Sequence, residues 1–90
     1  MTAAELKTKL ANGEPMRLID VRESDEFKEN NTVSGAENVP MGKLLREAAS
    51  GTLDKETMII TICASGMRCG ITARELRACG FNADALEGGI

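Results

Sequence analysis

The sequence contains no histidine, tryptophan or tyrosine, and only two phenylalanines. Without histidine, a Ser-His-Asp triad, a Cys-His nucleophile pair and most zinc catalysis are excluded. A net charge of -3 and the scarcity of aromatic rings argue against a nucleic-acid surface, which needs cations for phosphates and rings for bases. No apolar run approaches the length of a membrane-spanning helix. Any cysteine chemistry in this chain must therefore activate its thiol without an imidazole.

Cysteine is scarce as well, with three residues whose spacing matches neither a disulfide framework nor a zinc site. Because three is an odd number, at least one thiol should be free. We expect no metal and no cofactor. The N-terminal stretch MTAAELKTKL is charged and amphipathic, unlike a signal peptide, so we expect a soluble, cytoplasmic protein.

The 90 residues suit one domain, in which helical and strand-like patterns alternate. Short apolar runs predict strands over 16–21, 36–39, 58–62 and 83–86. Helical spacing predicts four helices, whose apolar positions include Leu6 and Leu10, then Phe27, then Leu44, and finally Cys69, Thr72, Ala73, Leu76 and Cys79. Such alternation predicts an α/β fold with a parallel sheet of about four to five strands and helices on both faces. Ligands of such folds bind at the carboxyl ends of the strands.

The strand over 58–62 delivers Cys63 to a run of mostly small residues that precedes a helix. Such a loop can aim successive backbone N–H groups inward, while the helix N-terminus and Arg68 add positive charge. A thiolate or persulfide at Cys63 would be stabilised there, which predicts a thiol more acidic than a free cysteine. Gly66 would permit the turn, and the Ser65 hydroxyl could donate to the outer sulfur. Considered alone, Cys63 would be interpreted as a buried, inert cysteine at a strand end; the combination of strand, small residues, Arg68 and helix favours the functional interpretation.

Four segments in order resemble the rhodanese homology domain. LIDVRESDEF resembles its strand-and-helix signature, VSGAENVP its characteristic turn, CASGMRC its active-site loop, and ACGFNADALEGGI its last strand and turn. The resemblance covers most of the chain and implies a three-layer, rhodanese-like domain over residues 1–90. It implies a sulfurtransferase, in which Cys63 takes sulfane sulfur from thiosulfate or a protein persulfide and passes it to a thiophilic acceptor such as a thiol. The substrate-binding cradle implied by the same resemblance consists of Ala64, Ser65, Gly66, Met67 and Arg68.

Two other functions remain open from the sequence. Phosphatases and arsenate reductases related to this family use a loop one residue longer, and Cys69 stands where their arginine would be. Dephosphorylation is therefore a distant alternative. The nearer alternative is a binding or redox-sensing module without turnover. Retention of both Cys63 and Arg68 favours sulfur transfer, since a purely structural domain needs neither.

Three residues near the loop are predicted to support it. Arg22 is spaced to pair with Glu26 at the start of a helix, and Asp20 can bind backbone groups beside the loop. Cys69 could resolve an oxidised Cys63 by forming a disulfide. We favour a small packed residue at this position instead, because the loop should hold the two cysteines at its opposite ends, and a bridge needs Cα atoms within about 7 Å.

The chain departs from the resemblance in three places. Residues 31–33 read Asn-Thr-Val where the family often has a histidine. The chain begins at the first helix, without the strand that usually precedes it, and stops at Ile90, where a closing helix usually follows. It looks trimmed at both ends, as a piece of a longer protein would. No bridge is predicted between Cys69 and Cys79, since ten residues of helix rise about 15 Å.

Overall fold

The protein folds around a parallel sheet of four strands. The computed structural model describes residues 1–25, 35–63 and 67–87. Within them the elements are, in chain order, α1 (Ala3–Ala11), β1 (Met16–Asp20), β2 (Glu37–Asn38), α2 (Met41–Ser50), β3 (Met58–Ile62), α3 (Met67–Ala78) and β4 (Ala83–Ala85). The strands lie in the order β2-β1-β3-β4, and every neighbouring pair is parallel. The predicted α/β fold with a parallel sheet is confirmed.

The carboxyl ends of the central strands meet at one edge of the sheet. Asp20 of β1 pairs with Ile62 of β3 and with Asn38 of β2. The N–H of Val21 extends this pairing by donating to the Ile62 carbonyl at 2.9 Å. Because the strands are parallel, these residues lie at the same edge, where open α/β sheets bind their ligands. Cys63 follows β3 directly and is delivered to that edge.

Helices cover both faces of the sheet, as predicted. The apolar side chains of α1 and the alternating strand residues of one face form the smaller core, which contains Met1, Leu6, Leu18, Ile60, Ile62 and Leu86. The other face packs against α2 and α3 in the larger core, which includes Ile19, Val21, Leu44, Ala48, Ile59, Cys63, Cys69 and Leu76. Side chains of a strand alternate between faces, so Ile59 and Cys63 belong to one core while Ile60 and Ile62 belong to the other.

Glycines end the two helices that cover the larger core. Gly51 follows α2 with φ of 81°, and Gly80 follows α3 with φ of 92°. This left-handed conformation is strained for residues with a Cβ, which explains why glycine stands at both helix ends. No helix in residues 1–25, 35–63 and 67–87 is long and apolar enough to cross a membrane.

Two positions on the predicted apolar helix faces are exposed. Leu10 is 41% exposed, because α1 buries only Leu6 against the smaller core. Cys79 is also exposed, and it is the residue directly after α3, which ends at Ala78. The predicted helix around Phe27 lies largely outside the described residues, as does Phe27 itself.

Candidate active site

The sulfur of Cys63 lies where β3 ends and just before α3 begins at Met67. Cys63 is fully buried, and so are Ile59 through Ile62 of the strand that holds it. Helix α3 extends over 12 residues, and the N-terminal end of such a helix carries a partial positive charge. A rigid strand and a helix terminus therefore meet at this cysteine.

A first-turn N–H of α3 is directed at the Cys63 sulfur. The backbone N–H of Cys69 donates to Cys63 Sγ at 3.3 Å. Cys69 is the third residue of α3, and N–H groups at this position have no acceptor within their own helix. The hydrogen bond satisfies that donor and favours the anionic form of the Cys63 sulfur.

The side chain of Cys69 adds a second sulfur to the site. The two Sγ atoms lie 3.2 Å apart, within hydrogen-bonding distance, and Cys69 Sγ lies 3.7 Å from the Leu86 carbonyl oxygen. Burial, together with the hydrogen bond and the charge of Cys63, raises the pKa of the Cys69 thiol to about 12. Cys69 therefore keeps its proton at neutral pH. Once Cys63 ionises, only Cys69 can donate between the two sulfurs.

Thr61 fixes the first turn of α3 to the sheet, a role that the sequence did not reveal. Its Oγ1 donates to the Cys69 carbonyl at 2.7 Å, and its side chain is fully buried. The threonine interrupts the otherwise apolar run of β3, and a polar residue buried in a strand must find a partner. That interruption is the signal in the sequence, although it does not name the partner.

The remaining cradle residues differ in how far the structure describes them. Met67 is 71% exposed and forms the rim of the site, consistent with the start of α3 at the surface. Arg68 is partly buried, and its carbonyl accepts from the Thr72 hydroxyl at 2.7 Å. Residues 64–66 lie outside the described residues, so the cradle roles predicted for Ala64, Ser65 and Gly66 stay predictions. Among the described residues, no group of three side chains could hold a metal ion.

Asp20 and Arg22 form a buried ion pair at the same edge of the sheet. Arg22 Nε donates to Asp20 Oδ1 at 2.9 Å and Nη2 donates to Oδ2 at 2.8 Å, with side-chain exposures of 2% and 0%. Asp20 also accepts from the Arg22 N–H at 3.0 Å. Asn38 Nδ2 donates to the carbonyls of both residues. Glu26, the predicted partner of Arg22, lies outside the described residues.

One expectation about the cysteines is wrong. We expected the loop to keep Cys63 and Cys69 apart at its two ends, whereas their sulfurs are in contact at 3.2 Å. The first turn of α3 packs against the end of β3, and this packing places Cys69 beside Cys63. Cys69 is packed in the helix as expected, but it is also part of the site. Cys69 and Cys79 are not bridged to each other, as predicted.

The rhodanese-like domain family matches residues 2–90, and the chain belongs to this family. The chain is 36% identical over 90 residues to "Putative sulfurtransferase YtwF" of Bacillus subtilis, covering 100% of this chain and 84% of YtwF. It is 31% identical over 75 residues to "Putative sulfur carrier protein YrkF" of the same bacterium, covering 83% of this chain but only 39% of YrkF.

Solved structures agree with this membership. The crystal structure of SSP1007 from Staphylococcus saprophyticus superimposes with a TM-score of 0.83 at 29% identity, over 99% of this chain and 86% of that one. The human single-domain sulfurtransferase TSTD1 superimposes with a TM-score of 0.82 at 26% identity, over 100% of this chain and 89% of that one. The protein is thus a rhodanese-like domain whose relatives include proteins named for sulfur transfer and sulfur carriage.

Proposed function

We propose that this protein is a sulfurtransferase that carries sulfane sulfur as a persulfide on Cys63. The observation that supports this most directly is the hydrogen bond from the Cys69 N–H, at the N-terminal end of α3, to the Cys63 sulfur. It stabilises the anion that the reaction needs as nucleophile. The names of YtwF and YrkF support the class of reaction.

The proposed transfer has two steps. The Cys63 thiolate attacks the outer sulfur of thiosulfate, a new S–S bond forms as the donor's S–S bond breaks, and sulfite leaves with the electron pair. A thiophile such as cyanide or a thiolate then attacks the outer sulfur of the persulfide, and Cys63 leaves as a thiolate. A protein persulfide can replace thiosulfate in this scheme, with its own thiolate leaving in place of sulfite.

Arg68 and residues 64–66 complete the proposed substrate site. Backbone N–H groups of the loop bind the outer sulfur, and the Arg68 guanidinium binds the anionic donor. Arg68 lies in the first turn of α3 and is only partly buried, so a donor in solvent can reach it. The exposed Met67 lies on the approach to the loop. Asp20 and Arg22 support the edge of the sheet and do not bind substrate in this scheme.

A phosphatase is disfavoured by the direction of the Cys69 side chain. A phosphate loop that is one residue longer would need an arginine at this position. Cys69 is instead buried, with its sulfur against Cys63 and the Leu86 carbonyl. A cationic side chain of that length does not fit such a buried position without a partner for its charge.

Intact-mass measurement tests the proposal and separates it from a binding module without turnover. After brief incubation with thiosulfate and desalting, the protein should gain the mass of one sulfur atom on the peptide that contains Cys63, and cyanide should remove it as thiocyanate. Cys63→Ser should gain nothing while remaining folded by circular dichroism. Cys79→Ser, which removes the exposed thiol, is the matched control and should load like the parent. A folded parent that acquires no sulfur on Cys63 from thiosulfate or a persulfide donor would be a binding module.

A further inference from the structure

The transfer chemistry leaves the thiol of Cys69 unused. Its sulfur lies 3.2 Å from the Cys63 sulfur, and both residues are fully buried. A disulfide places its sulfurs about 2.05 Å apart, so an approach of about 1.2 Å separates the present contact from a bond. Such a movement is within the reach of side-chain rotation and small backbone adjustment.

We infer that Cys69 is a resolving thiol, which attacks the Cys63 sulfur of the persulfide, forms a Cys63–Cys69 disulfide and releases hydrosulfide. This inference rests on the proposed persulfide at Cys63. It gives the domain a second activity, the reduction of carried sulfane sulfur to sulfide when no acceptor removes it.

The step balances without an external oxidant. The bond between the two Sγ atoms forms, and the bond between Cys63 Sγ and the outer sulfur breaks. The outer sulfur leaves with the electron pair and, with the proton of the Cys69 thiol, becomes hydrosulfide. It is reduced, while the two cysteine sulfurs are oxidised. A small dithiol resets the site by reducing the disulfide and becoming a disulfide itself.

The position of Cys69 selects the inner sulfur as its target. Its sulfur contacts Cys63 Sγ and the Leu86 carbonyl from within the core, and the Thr61 hydroxyl holds its backbone in place. External thiophiles approach instead from the surface, where Met67 is exposed. Attack from outside therefore transfers the outer sulfur, whereas attack by Cys69 expels it.

Slow attack by Cys69 keeps the two activities compatible. Burial raises the pKa of its thiol, so the reactive thiolate is rare at neutral pH. The persulfide then lasts long enough to meet an acceptor, and internal release takes over only when none arrives.

The test follows a loaded protein in the absence of any acceptor. The parent, Cys69→Ser and Cys79→Ser are loaded with thiosulfate, freed of donor by gel filtration, and followed by intact mass and by a colorimetric sulfide assay. The parent and the Cys79→Ser control should release one sulfide per loaded chain at a rate independent of protein concentration. Their final mass should lie two hydrogen atoms below that of the reduced protein, with a Cys63–Cys69 cross-link in the peptide map. Cys69→Ser should keep its sulfur and release sulfide at least about tenfold more slowly, because its attacking thiol is gone.

Each result has a definite meaning. Sulfide release from Cys69→Ser at the parent rate, or a parent that loads and keeps its sulfur, overturns the role of Cys69 and leaves the persulfide at Cys63 intact. If Cys69→Ser does not fold, the loaded parent alone still tests the role of Cys69, because it should release sulfide and form the Cys63–Cys69 cross-link. If the parent and Cys79→Ser neither gain sulfur nor release sulfide, the proposed persulfide is wrong and the inference falls with it.

Discussion

Asp20→Asn tests how strongly the buried ion pair stabilises the carboxyl edge of the sheet. The substitution preserves the size of the side chain but removes its charge. The Arg22 side chain is only 2% exposed, so its guanidinium stays buried after it has lost this anion. Removing one partner of a buried pair costs about 3 to 5 kcal/mol, because the remaining charge stays buried. In a domain of this length each kcal/mol lowers Tm by about 4 to 8 °C. We therefore expect Tm to fall by at least about 12 °C.

The chain offers a matched control in the Arg17–Glu37 pair. Its shortest N–O distance is also 2.8 Å and it too is bidentate, but the two side chains are 36% and 45% exposed. Exposed pairs contribute up to about 1 kcal/mol, so Glu37→Gln should cost far less than Asp20→Asn. Urea and thermal unfolding, followed by circular dichroism, measure both variants.

Equal destabilisation by the two substitutions would refute the reasoning, because burial would then not determine the contribution of an ion pair. The same Asp20→Asn protein also tests whether Asp20 supports the fold or binds substrate. At a temperature where this variant is fully folded, it should load sulfur on Cys63 like the parent. Failure to load under that condition would make Asp20 a substrate ligand.

Three further predictions address charge and hydrogen bonding around the site. Arg68→Ala should lower kcat/KM for thiosulfate on the order of tenfold or more with little loss of Tm, whereas Arg74→Ala, an exposed arginine of the same helix, should do neither; equal losses of activity and Tm in Arg68→Ala would make Arg68 a scaffold residue. The hydrogen bond from its arginine partner lowers the pKa of Glu37, so the stability difference between the parent and Glu37→Gln should be fully present above the ordinary value of 4.5 and be lost as the pH falls from there through the lowered pKa; a difference as large at pH 3 as at pH 7 in urea titrations would contradict this. Thr61→Val keeps the shape of the side chain but leaves a buried carbonyl without its hydroxyl donor, and should cost about 1 to 3 kcal/mol in the same titrations; an unchanged stability would mean that the hydroxyl does not fasten α3.

The sequence predicted the sheet and the place of Cys63 because burial patterns are local. Ile59, Ile60 and Ile62 form a run that only a buried strand accommodates well, so the residue after them had to lie at the carboxyl edge. Glycines at the helix ends marked where α2 and α3 stop. These features depend on neighbouring residues alone, and a single sequence contains them.

The contacts within the site depend on how the chain returns in space, which local patterns do not encode. Spacing suggested that Cys63 and Cys69 lie apart, and only the packing of α3 against β3 brings their sulfurs together. In the same way, helical spacing does not suggest that Arg22 contacts Asp20. The structure pairs Arg22 with Asp20, two residues earlier, because the turn after β1 brings the guanidinium back to the carboxylate.

The burial of Cys63 in the larger core makes sulfur loading a problem of packing. Cys63 belongs to the same apolar cluster as Leu44 and Ile59, so a sulfur atom added to it must be accommodated by a close-packed surrounding. Thermodynamic linkage is reciprocal. If loading Cys63 with sulfur raises the free energy of unfolding, the folded protein holds that sulfur more tightly by the same amount; if loading lowers it, the folded protein donates the sulfur more easily by the same amount. Leu44→Ala, a substitution in the core away from the proposed donor and acceptor sites, would then shift the equilibrium of sulfur transfer between a persulfide donor and Cys63. If Cys63 carries sulfur as proposed, the core thus sets the transfer potential of that sulfur, much as a protein sets the reduction potential of a cofactor it encloses.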